Sequence, residues 1–519
     1  MSRKRLLVRG VALGYGAVVT QIFYSIASIP LTLSYLSSAE FGMWSLITTL
    51  VAYLCVIEFG MTNAFQRHLF DCRDEKHDGR YGRLFCASLI ALGLVAIFIL
   101  VLGIALTWLS ASFYHIPAAL RQSFLWVMIG QVVLASASMA TRMLGAPLYI
   151  HQRQDLAQLS QIVLYAILYA VLYFGLHAGW GIYAMLANAA AGFVWGVLFN
   201  IVACIRLRLY PPKGTWARPH AEELTSVLRY SRDLFIVQVG SQLAKNMPML
   251  LLPRLLGLDA AAIWTVCTRS FTILKQVVSK PFDYSVPILC EIFVKGEQQR
   301  MAKRWMQITE LVLALSICAF AVGAANNRQF LHLWVGKTMA WPAINDWFMA
   351  LYFFVSIAAS SAFGVVGFHK HFGVTRYVPL LEAGLVAVNA LWMTRLWGIP
   401  GLLGAATLAQ VGASLWFGIR HLALISETPT SKLFKEAFWR PLRILPFAAV
   451  LAWACSLLDR VLPGYAGLLV AAAVGTTVTG LLALFFGVSV EVRAEALKML
   501  GRPIARFWPR RPPPPVQVS

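Results

Sequence analysis

The sequence predicts an all-α polytopic membrane protein of about fourteen transmembrane helices. These form two six-helix lobes related by a parallel repeat, plus two C-terminal helices. Three observations carry this prediction. Hydrophobic residues make up 59% of the 519 residues and charged residues 13%, against about 45–50% and about 25% in soluble domains. Mean hydropathy is +0.69. Apolar runs near the length of about 20 residues that a spanning helix needs recur along the chain.

Those runs fall at 11–36, 41–65, 84–109, 122–150, 156–176, 181–205, 233–256, 260–291, 305–326, 347–368, 377–395, 401–419, 442–458 and 466–489. The first follows Ser-Arg-Lys-Arg and continues from Val11 to Tyr35. It is longer than the apolar region of a signal peptide and lacks a small-x-small cleavage site, so it reads as a retained first helix.

An even number of spans puts both termini on one side, and loop charge chooses the side. Of the 44 Lys and Arg residues, 33 fall in the termini and even-numbered loops. Only Arg121, Arg328, Lys337, Arg395 and Arg460 fall in the opposite loops. The bias predicts cytoplasmic termini. Basic loops facing anionic headgroups account for most of the net charge of +22 without invoking nucleic acid. Loop 206–232 reads as a linker. The expected division is therefore a lobe at 1–220, a second at 221–425, an extra helix pair at 426–489 and a basic, Pro-rich, disordered tail at 490–519.

The second and eighth spans match at an offset of 220 residues: Leu36/Leu256, Gly42/Ala262, Met43/Ile263, Trp44/Trp264, Ser45/Thr265, Leu46/Val266 and Thr48/Thr268. A repeat of six spans is parallel, with its axis along the membrane normal, and carriers with two such halves move substrate between them.

Polar side chains are costly in lipid and face a cavity or a partner helix. Gln21, Ser25, Ser28, Thr32 and Tyr35 line one face of the first helix at spacings of three and four. The seventh carries Gln238, Ser241, Gln242, Lys245 and Asn246, and the fourth Gln131, Ser138 and Arg142. The eighth carries Thr265, Arg269, Thr272, Gln276, Lys280 and Asp283 on one line. At about 1.5 Å per residue, Lys245 and Lys275 lie roughly 22 Å from a helix end and Arg269 about 13 Å in. The carboxylates Glu58, Asp233, Asp283, Glu291, Glu310 and Glu382 fall toward cytoplasmic ends. A wet, positive interior attracts an anion.

The expected cavity residues are Lys245, Arg269, Gln276, Arg142, Lys280, Gln242, Gln21, Ser25 and Thr32, with Glu58 and Asp283 for coupling or gating. The plainer readings are packing of Ser/Thr lines between helices, pairing of Arg142 and Lys280 with Glu58 or Asp283, an outward-snorkelling Arg254, an off-stripe Lys275, and interfacial Glu310 and Glu382.

The eight cysteines form no CxxC or Cys/His ligand spacing, so neither zinc nor a redox pair is indicated. The ten histidines sit in loops or near helix ends, and no DxD, Walker loop or GxSxG occurs. No metal, nucleotide or covalent cofactor is implied.

The stretch Tyr35-Leu-Ser-Ser-Ala-Glu-Phe-Gly-Met-Trp-Ser-Leu with Ile57-Glu-Phe-Gly-Met, Gly145-Ala-Pro-Leu-Tyr-Ile-His-Gln-Arg-Gln-Asp-Leu, Leu255-Leu-Gly-Leu-Asp-Ala-Ala-Ala-Ile-Trp and Ser285-Val-Pro-Ile-Leu together resemble lipid-linked polysaccharide flippases. These include the O-antigen flippases of the multidrug/oligosaccharidyl-lipid/polysaccharide exporter superfamily. The resemblance spans residues 10–420 in pattern and rests mainly on small residues and Trp. It implies two six-helix lobes working by alternating access, without enzymatic chemistry, in a bacterial inner membrane. It implies an isoprenyl pyrophosphate-linked oligosaccharide as cargo, moved from the cytoplasmic to the periplasmic leaflet. Its partners would be membrane lipids, a polysaccharide polymerase and chain-length machinery. Two other classes compete: a membrane glycosyltransferase, polymerase or ligase acting on the same lipid-linked sugars, and a cation-coupled drug efflux pump, which would want central carboxylates.

Overall fold

The structure is a computed structural model. It describes residues 3–494 apart from 59, 73–78, 152, 213, 217–220, 337–338, 340, 369–372 and 462–463. The expected tail from 495 onward and Lys337 lie outside the described residues. Among the described residues the regular structure is entirely helical.

In chain order the helices are α1 (Arg3–Leu33), α2 (Ser38–Cys55), α3 (Met61–Asp71), α4 (Arg80–Phe113), α5 (Ala118–Thr141), α6 (Ala146–Ile150), α7 (Gln154–His177) and α8 (Tyr183–Arg206). There follow α9 (Ala221–Leu256), α10 (Leu258–Cys267), α11 (Arg269–Val278), α12 (Lys280–Val294), α13 (Gln298–Trp334) and α14 (Ile344–Gly364). The last are α15 (Val378–Trp397), α16 (Ile399–Gln410), α17 (Trp416–Ser426), α18 (Thr430–Phe434), α19 (Arg440–Leu442), α20 (Leu445–Val461) and α21 (Tyr465–Leu482).

Among the described residues, eleven stretches are long and apolar enough to cross a membrane. They include the expected spans 156–176 and 377–395, which appear as Asp155–His177 and Gly373–Trp397. The other three expected spans also form helices, but each departs from a uniform apolar rod. The seventh, α9, carries Lys245 and Arg254 with Pro248 and Pro253 inside it. The eighth is broken into α10, α11 and α12, with Arg269 and Lys280 opening the second and third pieces. The thirteenth, α20, has 17 residues.

The second and fourth spans each change pitch at the expected cytoplasmic end. The second runs from α2 into a 3-10 turn at Val56–Glu58. The fourth runs from α5 into a 3-10 turn at Arg142–Gly145. The entry to α2 is fixed by a reciprocal capping box: Ser37 Oγ accepts from the Glu40 amide while Glu40 accepts from the Ser37 amide. That satisfies two of the donors a helix start leaves open.

The chain packs as two compact units. One comprises Met1–Arg269, Leu331–Trp341 and His371–Ala409; the other Ser270–Phe330, Pro342–Lys370 and Gln410–Ser519. These boundaries differ from the repeat-based lobes, because compactness assigns α9 and α10 to the unit that holds α1–α8. In the first unit α1 packs along α7, α4 along α5, and α9 along α15, while α2 lies against α5, α9 and α10. Its core is built from Met43, Leu46, Phe85, Leu92, Phe124 and Met128, all essentially without exposure.

In the second unit Phe271, Phe320 and Phe353 stack with centroids 5.9–6.3 Å apart. The indole Nε1 of Trp305 donates to the Ser361 carbonyl at 2.8 Å. Ala314, Cys318, Ala448, Ala452 and Ala483 join α13 to the last helices through small side chains. Glu310, expected at the interface, is instead buried there. It accepts from Arg440 Nη1 at 3.2 Å and from Ser489 Oγ at 3.0 Å. A carboxylate taken out of water needs such partners. Glu382 is buried as well.

Candidate functional site

The eighth span stops being a helix for one residue. α10 ends at Cys267, the Thr268 amide closes its last turn on the Trp264 carbonyl, and α11 restarts at Arg269. The break presents a guanidinium at the head of a new helix. Arg269 is half-buried, and its Nε donates to Ser25 Oγ at 2.5 Å while Nη2 donates to the same hydroxyl. Ser25 is buried on the polar line of α1. Both residues belong to the first compact unit, and the sequence singled out both.

Around this pair stand three residues that the polar stripes did not include. Tyr24 of α1 and Tyr165 of α7 have ring centroids 5.6 Å apart, tilted by 36°. Both phenols lie within electrostatic reach of Arg269. Asn188 of α8 is buried, and its Nδ2 donates to the Tyr24 hydroxyl at 2.9 Å. α1 comes close enough to α7 to assemble the cluster because Gly16 offers no side chain where the Ile162 Cδ1 methyl sits. Among the described residues no carboxylate hydrogen-bonds or pairs with Arg269.

The donors of the cluster determine what it can bind. A guanidinium carries five N–H groups. Two are spent on one neutral hydroxyl, so three remain. The Tyr24 oxygen accepts from Asn188, which leaves its O–H to donate elsewhere. The Tyr165 hydroxyl has no hydrogen-bond partner among the described residues. The site therefore offers donors and a positive charge, the complement of an acceptor-only anion.

The other expected site residues are distributed as follows. Lys245 on α9 is exposed, and nothing among the described residues hydrogen-bonds or pairs with it. Gln242, one turn before it, accepts from Asn246 Nδ2 at 3.3 Å. Gln21 is exposed on α1. Thr32 is buried, donating to the Ser28 carbonyl at 2.8 Å and lying 3.8 Å from Met185 Sδ. Arg142 and Glu58 form an ion pair that links the two 3-10 turns. In the second unit Gln276, Lys280 and Asp283 are exposed, and no ion pair joins Lys280 to Asp283. Lys275, off the stripe, donates to Ser356 Oγ at 2.6 Å and lies 5.5 Å over the Phe353 ring. Arg254 is exposed, as a snorkelling residue would be, but it also donates to His115 Nδ1 and covers the Phe113 ring.

A family model described as polysaccharide biosynthesis protein matches residues 7–293, more than half of the chain. The chain belongs to that family. Solved structures agree on the fold. A lipid II flippase, MurJ, in an inward closed conformation superposes with a TM-score of 0.65 at 10% identity, covering 92% of this chain and 98% of the other. An inward-facing multidrug resistance transporter of the MATE family gives a TM-score of 0.61 at 12% identity over 79% of this chain and 96% of its own. A MOP superfamily transporter from Pyrococcus furiosus, described as having a binding pocket of reversed polarity, gives 0.56 at 12% over 82% and 97%. No curated protein matches the sequence. Family and fold together describe a multi-pass membrane protein of polysaccharide biosynthesis with the architecture of transporters.

Proposed function

We propose that this chain is a flippase. It carries an isoprenyl pyrophosphate-linked oligosaccharide from the cytoplasmic to the periplasmic leaflet of a bacterial inner membrane, by alternating access of two six-helix lobes with both termini in the cytoplasm. The observation that carries the reading is Arg269: a guanidinium inside a membrane-spanning segment, held by one neutral hydroxyl and by no carboxylate. An uncompensated cation at that depth is costly, and an anionic headgroup offsets the cost when it arrives. The lipid-linked cargo supplies such a headgroup while its tail stays in the bilayer. Lys245, without a partner among the described residues, is the second cation assigned to this role. A cationic drug would need carboxylates where this site presents donors, so the reading disfavours drug efflux.

The test is genetic and direct. Arg269→Gln and Lys245→Gln are introduced in the native cell, and surface polysaccharide is measured alongside the amount of inserted protein. Arg269→Gln is expected to abolish surface polysaccharide with insertion unchanged, and lipid-linked oligosaccharide to accumulate on the inner leaflet. Normal polysaccharide in both variants would overturn the proposal. Oligosaccharide accumulating unpolymerised on the outer leaflet would instead favour a polymerase or ligase.

A further inference from the structure

We infer that Tyr24 and Tyr165 distinguish a diphosphate from a monophosphate head, and that Asn188 acts on this selectivity as a positioning residue. The inference rests on the anionic headgroup reading above and deepens it.

The number and direction of the donors set which head the site can hold. Arg269 alone can hold a single phosphoryl group in a forked pair of hydrogen bonds. Its spare N–H groups all sit on one planar fork, so a second phosphoryl group needs donors from another direction. The tilted phenols of Tyr24 and Tyr165, on α1 and α7 and within reach of the guanidinium, supply two. A phenol is a neutral donor, so it adds recognition without adding to the charge the membrane must tolerate.

Asn188 decides whether Tyr24 can act. A phenol oxygen both donates and accepts. By donating Nδ2–H to that oxygen at 2.9 Å, Asn188 occupies its accepting side and turns the O–H outward. An acceptor at the same position would take the proton instead and silence the donor. Asn188 is buried on α8, where an amide is kept only when it is bonded.

The experiment uses the full chain purified into lipid nanodiscs, with farnesyl diphosphate, farnesyl monophosphate and farnesol as probes and equilibrium affinity as the readout. The wild type is expected to rank diphosphate above monophosphate above farnesol. In Tyr24→Phe/Tyr165→Phe, diphosphate affinity is expected to fall about ten- to a hundredfold, the range for losing hydrogen bonds to a charged group. Monophosphate affinity should stay within about twofold of wild type, so the ratio between the two collapses. Asn188→Asp, isosteric but an acceptor, is expected to lower the same ratio, and Asn188→Gln to restore part of it. A merely structural role for these residues would weaken both phosphates together. An unchanged ratio in the Tyr24/Tyr165 double variant, with Arg269→Gln still abolishing binding of both phosphates, would overturn this inference and leave the flippase reading standing. Retention of both phosphates by Arg269→Gln would remove the reading on which it rests.

Discussion

Gly42 of α2 lies directly against the Leu258 carbonyl at the start of α10, with the Ala262 amide beside it. A Cβ at position 42 has no room there. Gly42 and Ala262 are equivalent positions at the 220-residue offset, so these repeat mates meet backbone to backbone. The neighbouring Ser38 hydroxyl donates to the Asp259 carboxylate at the same junction.

The first prediction follows from that contact. Gly42→Ala is expected to destabilise the protein by about 1–3 kcal/mol, the usual cost of forcing atoms into a filled interface, and Gly42→Leu to prevent accumulation of folded protein. Gly93 is the control, since nothing lies within 4 Å of a Cβ built there. Gly93→Ala is expected to be neutral or stabilising by up to about 1 kcal/mol through helix propensity alone. Thermal unfolding of the purified variants in one detergent checks both.

A second prediction concerns Arg142 and Glu58. Their ion pair joins the 3-10 turn at Val56–Glu58 to the one at Arg142–Gly145. A local change of helical pitch is a common place for a hinge, so the pair restrains two such places at once. Arg142 is about half-exposed, so solvent screens the interaction, and a double-mutant cycle is expected to give a coupling of about 1 kcal/mol or less. The functional effect should exceed the stability effect. Arg142→Gln and Glu58→Gln are each expected to lower polysaccharide export, and the swapped pair Glu58→Arg/Arg142→Glu to recover more of it than either single reversal.

A third prediction uses an asymmetry in burial. Glu310 has 3% side-chain exposure and its partner Arg440 44%. Removing Arg440 strands a buried carboxylate, whereas removing Glu310 leaves a guanidinium that can turn to water. Arg440→Ala is therefore expected to cost about 3–5 kcal/mol, and Glu310→Leu clearly less. Because Ser489 bonds to the same carboxylate, Arg440→Ala should also speed amide exchange across α20 and α21. Equal stability of the two variants would contradict the asymmetry.

Eleven of the expected spans were legible as long apolar helices, because hydropathy and length are local properties of a sequence. So were Arg269 and Ser25, since a charge and a line of hydroxyls stand out in an apolar run. Tyr24 and Tyr165 were not, because a tyrosine in a membrane helix looks the same whether it faces lipid, an interface or a polar site. Asn188 did offer a signal, an amide inside a mostly apolar helix, but it belongs to no line of polar residues. Glu310 could not be placed from sequence, since the serine that buries it lies 179 residues away. The break at Thr268 carries neither glycine nor proline, the residues that normally announce one. The compact units differ from the expected lobes because α9 and α10 pack against α2, a long-range contact that hydropathy does not encode.

The last prediction concerns one nitrogen with two claimants. His115 Nδ1 lies 2.9 Å from Arg254 Nη1 and 3.1 Å from the Phe113 carbonyl. Arginine keeps its protons, so the Arg254 contact requires a lone pair on Nδ1 and hence a neutral ring. The contact fastens the end of α9 to the loop after α4, where His115 holds the left-handed conformation at φ 49° between the buried Tyr114 and Ile116. Amide exchange at residues 250–257 and 113–117 is expected to rise in His115→Ala, which removes the acceptor. It should rise less in His115→Gln, whose amide oxygen can still accept from the guanidinium. Equal exchange in the two variants would show that the acceptor does not hold α9 to the loop and leave His115 as a spacer.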